Sequence, residues 1–402
     1  MRPIRETIPV QEALALLHST VVPIGRTERV AIAGAGSRVL AADTVSPHDV
    51  PPFDRAAMDG YAVVAADTFG AGRDHARTLH ILETVYTGQV PSRTARSGEC
   101  VEIATGAPMP EGADAVVMVE ETEKAEAGDV RIFTPVYPRQ HVGARGADIK
   151  AGQPLLAAGT LLNPSRIGAL AATGVADVEV FARPRVAIFS TGGEIVDPGQ
   201  PLGPGQLYDI NQFTLSSITE AHGGIPVRGL TAPDTLPELI AAMRGAAGED
   251  IVVFSGGSSV GERDLLLDAL QAAGEVLFHG VAVKPGKPMV FGRIGSTPVL
   301  GMPGYPTSCL SNAYLFLVPL LRAVARLPRY RPSRLRLPLA RRVVSTTGRH
   351  QFYTVRIEKG SAVPAFKASG DITSMALADG YIEIPAQTDL VEAGEIVEVT
   401  LF

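Results

Sequence analysis

Residues 185–194, RVAIFSTGGE, decide the fold. A short run of apolar, partly β-branched residues stops at Ser190-Thr191-Gly192-Gly193, the pattern of a strand that delivers the chain into a glycine loop. Outward from it the same alternation continues. YDINQFTLSSITEAHGG predicts a helix with a glycine stop, and IPVRGLTAPD follows. A helix is then expected from about Leu236 to Ala247, followed by the strand DIVVFSGG and the helix LLLDALQAAG. EVLFHGVAVKPGKPMVFGRI and TPVLGMPG supply further strands, and a last helix is expected from about Pro306 to Leu327. Strands alternating with helices predict βαβ units and a mainly parallel sheet.

The flanks have a different texture. Residues 10–18, VQEALALLH, have helical periodicity, and residues 20–45 look like short strands and turns. From SPHDVPPFDRAAMDGYAVVAAD to about residue 138, strand-like runs are separated by turn residues, which predicts a small β domain. Residues 140–165 are glycine-rich turns, followed by a small helix, RIGALAATG. Beyond the linker LPRYRPSR, short alternating strands predict a β-barrel or sandwich. The 402 residues suit two to four domains, and 46% apolar against 19% charged excludes wholesale disorder. A net charge of −6 argues against nucleic acid as a partner, so any anionic ligand needs a local site. Two cysteines, Cys100 and Cys309, far apart, suit neither a disulfide scaffold nor a structural zinc site. The N-terminus has no continuous apolar run, and the apolar stretch around Tyr314–Leu321 is short and holds Pro319. These features predict no signal peptide and no membrane span, hence a cytoplasmic location.

In an open parallel sheet, ligands bind beyond the carboxyl ends of the strands. Four loops are expected there: Ser190–Glu194 (STGGE), Ser255–Asp264 (SGGSSVGERD), Lys284–Pro288 (KPGKP) and Met302–Pro306 (MPGYP). Ser255, Gly256, Gly257 and Ser258 form the best phosphate cradle, because glycines let backbone N–H groups converge on an anion and serines add donors. Asp264 is either a helix cap or, beside phosphates, a ligand for a divalent cation; Glu194 would be the second carboxylate, or else a solvated loop charge. Lys284 and Lys287 flank a Pro-Gly turn and are either anion-binding point charges or surface lysines. No loop has the Walker A or dinucleotide-fold pattern. In the β region, Asp54, Asp59-Gly60, Thr105–Pro108, and Arg145 with Asp148 are each turn-like taken singly.

In order and spacing, PPFDRAAMDGYAV, ATGAPMPEGADAVV, GADIKAG, STGGEIVDPGQPLGPGQLYDIN, SGGSSVGERD and VAVKPGKP resemble the MoeA/gephyrin E-domain family, the molybdopterin molybdenumtransferases. The resemblance spans essentially the whole chain. It implies a multi-domain α/β plus β fold in an elongated subunit. Residues 1–48 with 140–182 would be a connecting domain and 49–139 an inserted β domain. Residues 183–328 would be a MogA-like α/β molybdopterin-binding domain and 329–402 a C-terminal β-barrel-like domain. It implies a homodimer with a shared cleft. The implied reaction inserts molybdate into adenylyl-molybdopterin and releases AMP, assisted by Mg2+ or another divalent cation.

By motif, Asp59, Glu194, Asp264 and Lys284 would be catalytic, with Asp264 and Glu194 holding the metal. Thr105, Asp148, Asp234, Ser255, Gly256, Gly257, Ser258, Lys287, Pro303 and Gly304 would bind substrate. Three positions depart from the family pattern: Tyr305 stands where Asn is usual, Gly280 where a basic residue is common, and Thr354 where Arg is frequent. These departures leave room for a tungstate-preferring variant. Two further activities compete with the transferase: a molybdopterin adenylyltransferase, which is otherwise an expected partner, and a non-enzymatic cofactor carrier or scaffold.

Overall fold

The computed structural model of the chain describes residues 6–232, 235–256 and 265–402. It divides into two compact units, Met1–Glu28 with Ser37–Val39 and Phe181–Phe402, and Arg29–Gly36 with Leu40–Val180.

The first unit is built on a six-stranded sheet. Its order is Ile225–Ala232, Arg185–Thr191, Ile251–Ser255, Thr297–Met302, Val290–Ile294, Glu275–His279. The first four strands are parallel, and Val290–Ile294 runs antiparallel to both its neighbours. The expected α/β sheet is therefore present, with one reversed strand closing a tight hairpin into Thr297–Met302.

Alternate residues of the central strands enter two different cores, which explains why the sequence is apolar without interruption. Val186, Ile188, Ile251, Val253 and Leu300 face helices Val10–Ser19, Asn211–Ala221 and the long helix beginning at Pro306. Ala187, Phe189, Val252, Phe254 and Val299 face helices Leu236–Gly245 and Leu265–Ala273. Phe189 and Phe254 stack at 4.7 Å between ring centroids in this second layer.

The long helix runs as Pro306–Asn312, a π turn at Ala313–Leu317, and Val318–Val324. Pro319 has no N–H to give the preceding turn, which accounts for the local widening. Over Pro306–Val324 the segment is long and apolar enough to cross a membrane, with mean hydropathy 1.3, but 72% of its 18-residue window is buried inside the protein. It is a core helix.

The same unit holds a second six-stranded sheet. Its order is Val283–Lys284, His350–Glu358, Gly380–Ile384, Ile396–Leu401, Arg334–Pro338, with Ser361–Pro364 also on His350–Glu358. Phe352 and Tyr381 stack at 3.9 Å and share the first core with the α/β sheet. The expectation that KPGKP ends a strand of the α/β sheet is corrected here. Val283–Lys284 leaves that sheet and pairs, in parallel, with His350 and Gln351.

The second unit contains the β domain expected from the sequence. Its sheet runs Ala115–Met118, Gly60–Val63, Glu99–Ile103, Arg77–Val85, Asp129–Ile132, Thr122–Lys124. The helix Pro164–Ala172 starts on Asn163, whose side chain accepts the Arg166 N–H, and Pro164 supplies the preset first turn. Asp59-Gly60 does not make the simple turn its dipeptide suggests. Gly60 pairs with both Ile103 and Met118 inside the sheet, and a Cβ there would lie 1.9 Å from the Val117 carbonyl oxygen.

The packing makes two outcomes testable. Gly60→Ala forces two strands apart and should destabilise this unit by ~1–3 kcal/mol or more, read as a lowered midpoint in scanning calorimetry. The second concerns His222, which is buried edge-on against Tyr330 with Nδ1 unpaired, so burial and then Arg322 push its imidazole from 6.5 down to about 4. Its folded value lies below its unfolded one, so its contribution is complete above pH 6.5 and is lost as pH falls towards 4. Urea titrations across this window should show a shallower pH dependence in His222→Gln than in the unchanged protein.

Candidate functional site

At the carboxyl ends of the first unit's parallel strands, three loops are laced together. Thr191 donates its hydroxyl to the Ser255 carbonyl at 3.2 Å, and the Gly256 N–H donates to the Met302 carbonyl at 3.2 Å. Gly256 has φ +95, and a Cβ on it would sit 2.7 Å from the Thr191 carbonyl oxygen, so only glycine lets the loops meet. Gly304 abuts the Gly256 α-carbon, and its own carbonyl accepts the Asn211 amide at 2.8 Å. The structure therefore brings Ser255, Gly256, Pro303 and Gly304 together. Glu194 ends the first loop with an exposed carboxylate that folds back over Gly192. Gly257, Ser258, Asp264 and Asp234, four of the residues singled out from sequence, lie outside the described residues.

Lys284 is half-buried and donates through Nζ to the Thr346 hydroxyl at 2.7 Å, so it is aimed by the loop that leads into His350–Glu358. Lys287 is also half-buried, and its carbonyl accepts the N–H groups of Val281 and Met289. The Asn312 amide donates to the Gly286 carbonyl at 2.9 Å, which fixes the turn between the two lysines.

Sequence reasoning missed several of these supports. Asp209 is 5% exposed, accepts the Ser190 hydroxyl, and caps the helix behind it through the Gln212 N–H at 3.0 Å. Asn211 and Asn312 are buried, each with an unpaired Oδ1. A signal for Asn312 was present, since the one amide in a helix with a largely apolar second half needs a specific partner.

The three positions expected to depart from the family pattern differ in kind. Gly280 has φ +92, a turn conformation that suits glycine. Thr354 is wholly buried with its hydroxyl unpaired, so no side-chain cation is lost from solvent-facing surface there. Tyr305 alone is displayed, at 66% exposure.

In the second unit, Asp59 precedes its strand and its carboxylate accepts the Thr105 N–H at 2.7 Å. That backbone bond, then the Thr105 hydroxyl, holds the Asp59 carboxyl below the usual carboxylate range. Two expected residues are thus in direct contact. Asp148 is exposed on a turn tied by its N–H to the Val50 carbonyl. Arg145, on the same turn, is gripped at Nε by Asp49 at 2.6 Å and at its N–H by Asp54 at 2.7 Å. Asp54 in turn is paired with Arg139.

Three family models cover the chain in succession: MoeA N-terminal region (domain I and II) over residues 8–174, probable molybdopterin binding domain over 187–323, and MoeA C-terminal region (domain IV) over 336–402. Molybdopterin molybdenumtransferase 2 of Mycobacterium tuberculosis is 35% identical over 381 residues, covering 92% of this chain and 94% of the relative. Molybdopterin molybdenumtransferase of Haemophilus influenzae is 37% identical over 298 residues, with 74% and 72% covered. A solved structure of a molybdopterin biosynthesis MoeA protein from Pyrococcus horikoshii superposes with a TM-score of 0.84 at 41% identity, covering 98% of this chain and 99% of that one. The chain belongs to the MoeA family.

The Asp59–Thr105 contact is testable by itself. Thr105→Val removes the hydroxyl and keeps the N–H, so the Asp59 pKa should rise towards the ordinary carboxylate value without reaching it, as read by carboxyl carbon NMR titration.

Proposed function

We propose that this protein is a molybdopterin molybdenumtransferase that inserts molybdate into adenylyl-molybdopterin and releases AMP. The observation that carries the reading is the lacing of the strand-end loops around Gly256 in a chain aligned along 92% of its length with a protein of that activity. The Gly256 N–H and the Thr191 hydroxyl are engaged in lacing the loops, so the charge that suits the tetrahedral oxyanions on both sides of the reaction, molybdate and the leaving phosphate, comes from Lys284 and Lys287.

The roles divide by charge. Lys284, aimed by Thr346, and Lys287 offset negative charge developing on the departing AMP. Asp59, kept ionised by Thr105, works as a fixed anion and hydrogen-bond acceptor at neutral pH and not as a proton donor. Ser255, Gly256, Pro303 and Gly304 shape the oxyanion end, and Gly257, Ser258, Thr105, Asp148 and Asp234 keep the substrate-binding roles that their motifs imply. Glu194, an exposed carboxylate at a loop end, is the donor type a hard cation takes, and Asp264 would be its companion. Bound there, Mg2+ would neutralise the pyrophosphate.

The reading includes a cytoplasmic homodimer supplied by a molybdopterin adenylyltransferase. Exposed Leu207, Tyr208 and Phe213, clustered around the start of one helix, support self-association. It also includes the four-part division at 1–48 with 140–182, 49–139, 183–328 and 329–402, supported by three separate six-stranded sheets.

The test is single-turnover AMP release from adenylyl-molybdopterin with Mg2+ and either molybdate or tungstate. Oxyanion-dependent release is expected, reduced roughly 10²-fold by Asp59→Asn and by Lys284→Ala. Tight substrate binding without release under either anion would leave a carrier in place of the transferase.

A further inference from the structure

Among the three positions expected to depart from the family pattern, Tyr305 alone is exposed. Its backbone is fixed from both sides. The preceding carbonyl, of Gly304, is held by Asn211, and its own carbonyl accepts the Cys309 N–H at 2.8 Å. Two residues on, the Thr307 N–H donates to Ser369 at 3.1 Å and its hydroxyl to the Asp371 carbonyl at 3.0 Å. The ring runs beside Gly370, where a Cβ would lie 3.6 Å from Cδ1, and the residue remains 66% exposed. Tyr305 is the N-cap of the helix Pro306–Asn312, so that helix sets its backbone while its ring stays exposed. The residue before it, Gly304, abuts Gly256 at the centre of the laced loops.

We propose that Tyr305 is a stacking platform for a planar heteroaromatic ring of the nucleotide-activated substrate. This inference rests on the functional reading above and names the part of the substrate that this chain grips in its own way. Two rings of that chemistry, adenine and pterin, flank the pyrophosphate of adenylyl-molybdopterin, and both present a face to an aromatic side chain. A ring next to the phosphate-binding loops lies within reach of either.

AMP and molybdopterin, titrated separately by calorimetry, separate the two sources. Tyr305→Ala should weaken one of them roughly 5- to 150-fold, the range of a single aromatic stack, while Tyr305→Phe stays within about twofold of the unchanged protein. The chain has no tryptophan, so Tyr305→Trp gives a sole indole whose emission should be quenched by the ring that stacks. If the unchanged protein binds either compound and Tyr305→Ala binds both equally well, the platform is overturned. If the unchanged protein binds neither, the functional reading itself fails.

Discussion

The approach of three loops at Gly256 is the constraint on which the first unit's site depends. The strands Arg185–Thr191, Ile251–Ser255 and Thr297–Met302 are buried on both faces, so their side chains are committed to packing and only their ends are free for chemistry. In parallel register those ends fall together. What then decides the geometry is whether the loops leaving them meet or splay. With the Gly256 N–H on the Met302 carbonyl and no room for a Cβ beside Thr191, they meet. Asp209 and Asn211 hold the outer edge of the same arrangement from the head of one helix, and both side chains are buried so that they cannot drift.

The α/β layer was legible because its signal is local. A strand buried on both faces has no polar residue to interrupt it, and RVAIFST and IVVFS show that directly. The helices followed from periodicity, and the small β domain from turn residues between short runs. What was hidden is pairing at a distance. Nothing in VAVKPGKP tells whether Val283–Lys284 continues the α/β sheet or joins another, because a two-residue strand carries no periodicity. Its partner, His350–Glu358, lies more than sixty residues on. The π turn in the long helix was foreshadowed only by Pro319.

The candidate site was legible as a set of loops and much less as a set of contacts. Asp59 and Thr105 are forty-six positions apart, and their pairing follows from the strands Gly60–Val63 and Glu99–Ile103 lying side by side. The dipeptide Asp59-Gly60 pointed to a turn because glycine's usual role there is conformational, whereas here its role is steric, removing a Cβ from the path of a neighbouring carbonyl. Thr346, the residue that aims Lys284, had no sequence signal at all. Its role exists only because the second sheet draws in the Val283–Lys284 strand.

The chemistry left to the protein is narrowed by its own thiols. The chain has two cysteines, and burial removes both from reaction: Cys100 is pushed up to about 12 and Cys309 higher still. Burial disfavours the thiolate of both, so neither is poised as a nucleophile. Under the proposed transferase reading, the sulfur that takes molybdenum belongs to the substrate. That division fits the candidate site, where a lysine is aimed by a hydroxyl, an aspartate is held charged by a backbone N–H, and glycines admit close approach of the main chain. Such groups position and neutralise. They suit a transfer in which both reacting partners arrive from outside, and in which the protein's contribution is the field and the geometry at the moment the phosphate leaves.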